Sequence, residues 1–175
     1  MPTAALSQFE ASLSEGGVSS SRVDASSFQR HIEELVDAPA VGVALDDEFD
    51  DPALSLSETS VTIDPTPAAL TNATIGITAS SLGVADYGSL VLTPTDSGSE
   101  LVSLFVERHI AVIRESDIHE SMESAIDSIA TAFTRSPQSA IIATGPSATA
   151  DMGALVKGAH GPRDVHVVVV TEGEE

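Results

Sequence analysis

The sequence predicts an α/β fold with a mostly parallel core sheet and N-terminal helices, and three observations carry that expectation. In the second half, short apolar runs alternate with segments of helical periodicity, the pattern of strands joined by crossovers. The final run, Val165 to Val170, is almost wholly β-branched, which suits a strand covered on both faces. Before residue 40, Leu6, Phe9 and Leu13 recur at helical spacing, as do Phe28, Ile32, Leu35 and Val36.

Taken in order, Ala4 to Leu13 reads as an amphipathic helix broken by Gly16-Gly17. Ser26 to Val36 reads as a second helix, closed by Asp37 and Pro39. Ala40 to Leu45 is an expected strand. Asp46 to Asp51 (D-D-E-F-D-D) is an expected acidic surface loop, without the spacing or glycine of a calcium loop. A short strand at Ser60 to Ile63 leads to a helix at Pro65 to Asn72 with Asp64 as its N-cap. Thr74 to Ser80 is the next strand. Gly88 to Thr93 and Leu101 to Phe105 are expected to pair as a hairpin across the turn-rich Pro94 to Gly98. Ile110 to Ile113 reads as a buried strand. A long helix from Asp117 or His119 to Phe133 turns Met122, Ile126, Ile129, Ala130 and Phe133 inward.

The chain then reaches the stretch most suited to a site. Ile141 to Ala143 reads as a buried strand, followed by the turn Thr144-Gly145-Pro146-Ser147. A helix is expected from Thr149, its N-cap, with Asp151 in the first turn and Gly158 at its left-handed end. The turn His160-Gly161-Pro162-Arg163 leads into the last strand. A loop opening a helix points free N–H groups outward, where the helix dipole favours an anion, and open sheets collect ligands at the carboxyl ends of strands. The two turns are therefore expected to meet at such an end, with Glu107 and His109 nearby. The spacing is equally consistent with glycines that only make turns and a Ser147 that only caps.

Composition narrows the function classes. A chain of 175 residues is long enough for one domain with one sizeable core. It has no cysteine, which excludes thiol catalysis, disulfides and clusters held by its own thiolates. No apolar run reaches membrane-span length and no leader pattern opens the chain, so a cytoplasmic protein is expected. Acidic residues number 27 against 7 basic ones, for a net charge of −20, and Lys157 is the sole lysine. Such a coat repels nucleic acid. It suits a salt-loaded cytoplasm of the haloarchaeal kind, where molar salt shortens the Debye length to about 3 Å and screens self-repulsion. The acid is uneven. Residues 1–60 hold twelve acids and two arginines, whereas 141–170 and 101–115 are balanced. The balanced segments suit an anionic ligand or simply burial.

Several motifs together resemble the LUD domain of the lactate utilization protein C type. They are T-G-P-S-A-T-A-D at Thr144 to Asp151, A-H-G-P-R-D-V-H-V at Ala159 to Val167, A-D-Y-G-S at Ala85 to Ser89, and E-R-H-I-A-V at Glu107 to Val112. The resemblance covers roughly residues 60–171, so residues 1–58 are expected to form a helical, acidic cap on a core spanning 59–175. It implies the three-layer α/β sandwich shared by glucosamine-phosphate deaminases, ribose-phosphate isomerases and CoA transferases. It further implies a subunit or accessory factor of L-lactate oxidation to pyruvate, working with partner proteins that bear iron–sulfur clusters; with no cysteine, this chain is itself expected to bind no cofactor. The alternative is a stand-alone enzyme or binding module for a small anionic or CoA-linked ligand.

The candidate acid/base pair is Glu107 with His109, alternate residues leading into a strand and so able to face one ligand. Candidate ligand contacts are Asp86, Thr144, Gly145, Pro146, Ser147, Thr149, His160, Gly161 and Arg163. Three positions depart from the family pattern: Arg108 stands in place of a histidine, Tyr87 of a threonine and Ala148 of an arginine, with Arg163 as a substitute cation. The histidines are too scattered to indicate a metal site.

Overall fold

The computed structural model describes residues 3–135, 139–151, 154–158 and 160–172. Its first half runs α1 (Ala4–Glu15), β1 (Ser19–Asp24), α2 (Phe28–Leu35), β2 (Ala40–Gly42), α3 (Leu45–Phe49), β3 (Thr62–Ile63), α4 (Pro67–Asn72), β4 (Ile75–Ala79), β5 (Leu82–Val84) and β6 (Ser89–Leu92). Then come α5 (Ser99–Leu104), β7 (Arg108–Arg114), β8 (Ile118–His119), α6 (Met122–Arg135), β9 (Ile141–Thr144), β10 (Ala148–Asp151), β11 (Ala154–Lys157) and β12 (Asp164–Thr171).

Six strands form one parallel sheet in the order β1-β12-β7-β4-β2-β3. Its central strands are apolar on both sides, as their β-branched composition requires. Ile110, Val112, Val168 and Val170 face one core with Phe28 and Ile32 of α2, Leu45 of α3, and Val102 of α5. Ala111, Ile113, Val165, Val167 and Val169 face a second core with Leu6, Phe9 and Leu13 of α1. Leu90 and Leu92 of β6 join that second core from a smaller sheet, ordered β8-β5-β6-β9. Behind the smaller sheet, Ala125 of α6 packs on Leu82, Val84 and Val91. The layers are thus helices, parallel sheet, then α1 with the smaller sheet, the last backed by α6. This is an α/β sandwich on a mostly parallel central sheet.

Several local expectations change. Residues 1–58 are not only helical: β1 and β2 are strands of the main sheet, and β1 pairs along its length with β12. Its sequence, S-S-S-R-V-D, lacks an apolar alternation, because serines face His166 across it. Asp46 to Phe49 lie in α3, with Asp46, Asp47 and Glu48 at the positive end of that helix, where acids are favoured. Thr66, not Asp64, caps α4 by accepting from the Ala69 N–H. Leu101 to Leu104 are helical rather than a hairpin strand. Ser99 Oγ holds the α5 entrance by accepting from the Thr95 N–H at 3.1 Å and donating to the Thr93 carbonyl at 3.1 Å. The long helix begins only at Met122, after β8.

The largest change falls in the site stretch. Ile141 to Thr144 is no buried strand of the parallel sheet but the half-exposed outer strand β9, antiparallel to β6. The helix expected from Thr149 crosses residues 152 and 153, outside the described residues. What flanks them is an antiparallel hairpin, β10 with β11, in which Thr149 stands opposite Val156. That β-branched pair suits a strand better than a helix. Gly158 does take the left-handed conformation, at φ 77°, but at the end of a strand.

Candidate functional site

The two glycine turns meet, and backbone hydrogen bonds join them. The Ser147 N–H donates to the Pro162 carbonyl at 2.8 Å, and the Gly158 N–H donates to the Ser147 carbonyl at 2.9 Å. Ser147 is therefore held through its N–H by the His160 to Arg163 turn and through its carbonyl by Gly158 at the end of β11. The expectation that its N–H is free for an anion at a helix start fails twice over, because that N–H is used and no helix starts there.

The turns close over an inner cavity of about 330 Å³. Thr144, Gly145, Pro146 and Ser147 line it from one side and His160, Gly161 and Pro162 from the other, with His109 between them. Thr144 is fixed by a hydroxyl–hydroxyl bond of 2.6 Å to Ser89 on β6. Gly145 sits at φ 73°, a conformation that side chains strain to adopt.

His109 is the second residue of β7 and only 3% exposed. Its Nε2 shares a hydrogen bond of 2.8 Å with Thr78 Oγ1 on β4. Burial pushes its pKa down to about 4, so the ring is neutral at physiological pH. Among the described residues no group bonds Nδ1, which leaves that atom for a bound molecule.

An outer cleft of about 590 Å³ adjoins the cavity, sharing Leu104, His160 and Gly161 as common wall. Glu107, Arg163, Lys157 and Phe105 line it. Glu107 is exposed, and its carbonyl accepts from the Arg163 and Asp164 N–H groups at 2.9 and 3.2 Å. The sequence pair is thereby split between compartments: His109 in the inner cavity, Glu107 in the outer cleft. Arg108, between them in sequence, turns to the other face. It pairs with Asp164 at 3.0 Å and donates to the Leu35 carbonyl at 3.3 Å.

Two candidates fall outside both compartments. Asp86 is exposed and accepts from Gln8 Nε2 at 2.8 Å, tying its turn to α1. Thr149 lies in β10, beyond the cavity lining. The location also differs from the expectation. His109 stands at the amino end of β7 and the His160 turn precedes β12, so the site lies at the amino edge of the parallel sheet. The reason is that β9 and its following loop belong to the smaller sheet, which overhangs that edge. Sequence reasoning missed Leu13, Val18, Ser103 and Leu104, which complete the inner wall from α1, the loop that follows it, and α5. The only signal for Leu13 was its place on an apolar helix face.

A further cluster lies on the opposite face. His166 is buried, with Nδ1 2.8 Å from Ser19 Oγ and Nε2 2.9 Å from Ser21 Oγ. Ser21 Oγ is also 2.7 Å from His31 Nε2. Burial first, then the charges of Arg108 and His31, hold the His166 pKa down to about 4. Both ring nitrogens are occupied, so this histidine cross-links β1, β12 and α2.

Among the described helices none is long and apolar enough to cross a membrane. The sequence model of the LUD domain family matches residues 7–170. The chain is 31% identical over 136 residues to lactate utilization protein C of Deinococcus radiodurans, covering 77% of this chain and 59% of that protein. It is 34% identical over 104 residues to lactate utilization protein C of a Geobacillus species, covering 57% of this chain and 43% of that protein. The chain thus spans only about half the length of these curated relatives. A crystal structure of a DUF162 family protein from Deinococcus radiodurans shares its fold, with a TM-score of 0.71 at 24% identity over 95% of this chain and 96% of that one.

Proposed function

Since the chain belongs to the LUD domain family, we propose that it serves lactate utilization as a ligand-binding subunit or accessory factor, with electron transfer carried by iron–sulfur partner proteins. The single observation behind the ligand-binding half is that both glycine turns and His109 line one cavity. The names borne by its relatives support the lactate half. The partner half rests on sequence: with no cysteine, the chain offers no thiolate to a cluster, so no step of the oxidation is assigned to it. Within the chain, the neutral His109 would offer a bound group one hydrogen bond, and Thr78 would hold the ring in place.

Two measurements test this. Affinity capture from the native host in molar potassium chloride is expected to bring down proteins with iron–sulfur absorbance. The purified chain alone is expected to give no lactate-dependent dye reduction. Dye reduction by the lone chain would sink the proposal.

A second reading, a stand-alone enzyme for a small anionic or CoA-linked substrate, is favoured by one placement: the Glu107 carboxylate lines a cleft with Lys157 and Arg163. Loss of turnover in a folded Glu107→Gln variant would favour it over the first.

A further inference from the structure

The two compartments differ in chemistry. Leu13, Val18, Leu90, Leu92, Ile141 and Val165 dominate the inner wall, and among the described residues no lysine, arginine, aspartate or glutamate lines it. Its buried histidine, His109, carries no charge at neutral pH. An anion placed there would lose its water without gaining a counter-charge, a cost of several kcal/mol. The inner cavity therefore accepts an uncharged group that can share one hydrogen bond with the ring.

The outer cleft is charged. It gathers two of the seven cationic side chains, Lys157 and Arg163, against one carboxylate, Glu107, on a protein of net charge −20. Phe105, 70% exposed, adds a bare apolar surface beside them. Gly161 stands on the shared wall. A Cβ built on it would lie 3.2 Å from Ser147 Cβ and 3.9 Å from Leu104 Cδ2, in the gap between the two turns and α5. With glycine there, the wall between cavity and cleft stays low.

We propose that the site takes an amphiphilic anion, with its uncharged and largely aliphatic part in the inner cavity and a phosphate or carboxylate head held by Lys157 and Arg163. This rests on the reading of the cavity as a ligand site, and it narrows the ligand to something longer than a small hydroxy acid. Lactate itself, a carboxylate on a two-carbon body, does not fill both compartments.

Calorimetric titration of the full chain with hexyl phosphate, inorganic phosphate and 1-hexanol tests it. Hexyl phosphate is expected to bind at least about tenfold more tightly than either fragment, equivalent to about 1.4 kcal/mol. Arg163→Gln, at an exposed position, is expected to remove most of that advantage while leaving hexanol unchanged. Gly161→Val, checked for folding by circular dichroism, is expected to bring hexyl phosphate down to the level of inorganic phosphate. Equal binding of hexyl phosphate and inorganic phosphate would overturn the amphiphile and leave an anion site. Equal binding of hexanol and hexyl phosphate would overturn the role of the two cations. No binding of any probe would overturn the ligand site as well.

Discussion

His109 on β7 bonds Thr78 on β4 at 2.8 Å, joining adjacent parallel strands through their side chains beneath the inner cavity. Because the pair is buried, neither group has water as an alternative partner. Thr78→Val, nearly isosteric, is expected to destabilise the fold by about 1–3 kcal/mol, the cost of an unsatisfied buried donor or acceptor. Urea unfolding would measure it, and an unchanged midpoint would mean that the ring finds another partner.

Acid is expected to destabilise the protein in a defined window. An unfolded histidine takes its proton near pH 6.5, whereas folded His109 and His166 stay neutral down to about pH 4. Between those values the unfolded chain binds more protons. The stability they contribute is therefore complete above pH 6.5 and falls as pH drops toward 4. The slope is at most about 1.4 kcal/mol per pH unit for each ring. Unfolding midpoints of the wild type and His109→Gln through this range would show it, the variant having the shallower slope.

Gly76 on β4 is where α5 presses on the sheet. A Cβ there would lie 2.2 Å from the Val102 carbonyl oxygen and 2.9 Å from Val106 Cγ2. Backbone cannot move aside as a side-chain tip can. Gly76→Ala is expected to cost about 1–3 kcal/mol and to displace α5, which carries Leu104 into the cavity wall. A thermal melt reads the first effect and probe titration the second.

Salt is expected to stabilise the chain. With 27 acidic and 7 basic residues, self-repulsion opposes the compact state. Raising ionic strength from about 0.01 to 1 M shortens the Debye length from about 30 to 3 Å and removes most of that repulsion. Each kcal/mol recovered raises Tm by about 2–4 °C for a chain of this size. A melting point flat from low salt to molar potassium chloride would refute the halophilic reading.

What was legible in the sequence divides by physical cause. The strands whose residues are buried on both faces, such as Ile110 to Ile113 and Val165 to Val170, declare themselves through runs that are mostly β-branched. So do helices with one clean apolar stripe, as in α1. The meeting of the Thr144 and His160 turns with His109 was also legible, because glycine-containing turns so close in sequence have little room to separate. β1 was not: an edge strand whose serines bond histidines carries no apolar alternation. Nor was the β10–β11 hairpin, since a capping threonine followed by an acid signals a helix as readily as a strand. The amino-edge location stayed hidden for a different reason. Which end of a sheet a loop overhangs depends on β9 pairing with β6, a contact between segments some fifty residues apart.

The place of β12 in the sheet sets the order in which this protein can be made. It is the last strand among the described residues, yet it lies between β1 and β7 and pairs with both. Until residues 164–171 leave the ribosome, β1 has no neighbour and β7 presents a bare edge to the other nascent chains around it. At about 5–20 residues per second, that exposure lasts many seconds. Joining Ser19 to His166 then closes a loop that runs through every strand between β1 and β12, a slow step by its sequence separation. Ribosome stalling shortly before Asp164 is therefore the point at which aggregation, rather than misfolding of the finished chain, threatens its yield.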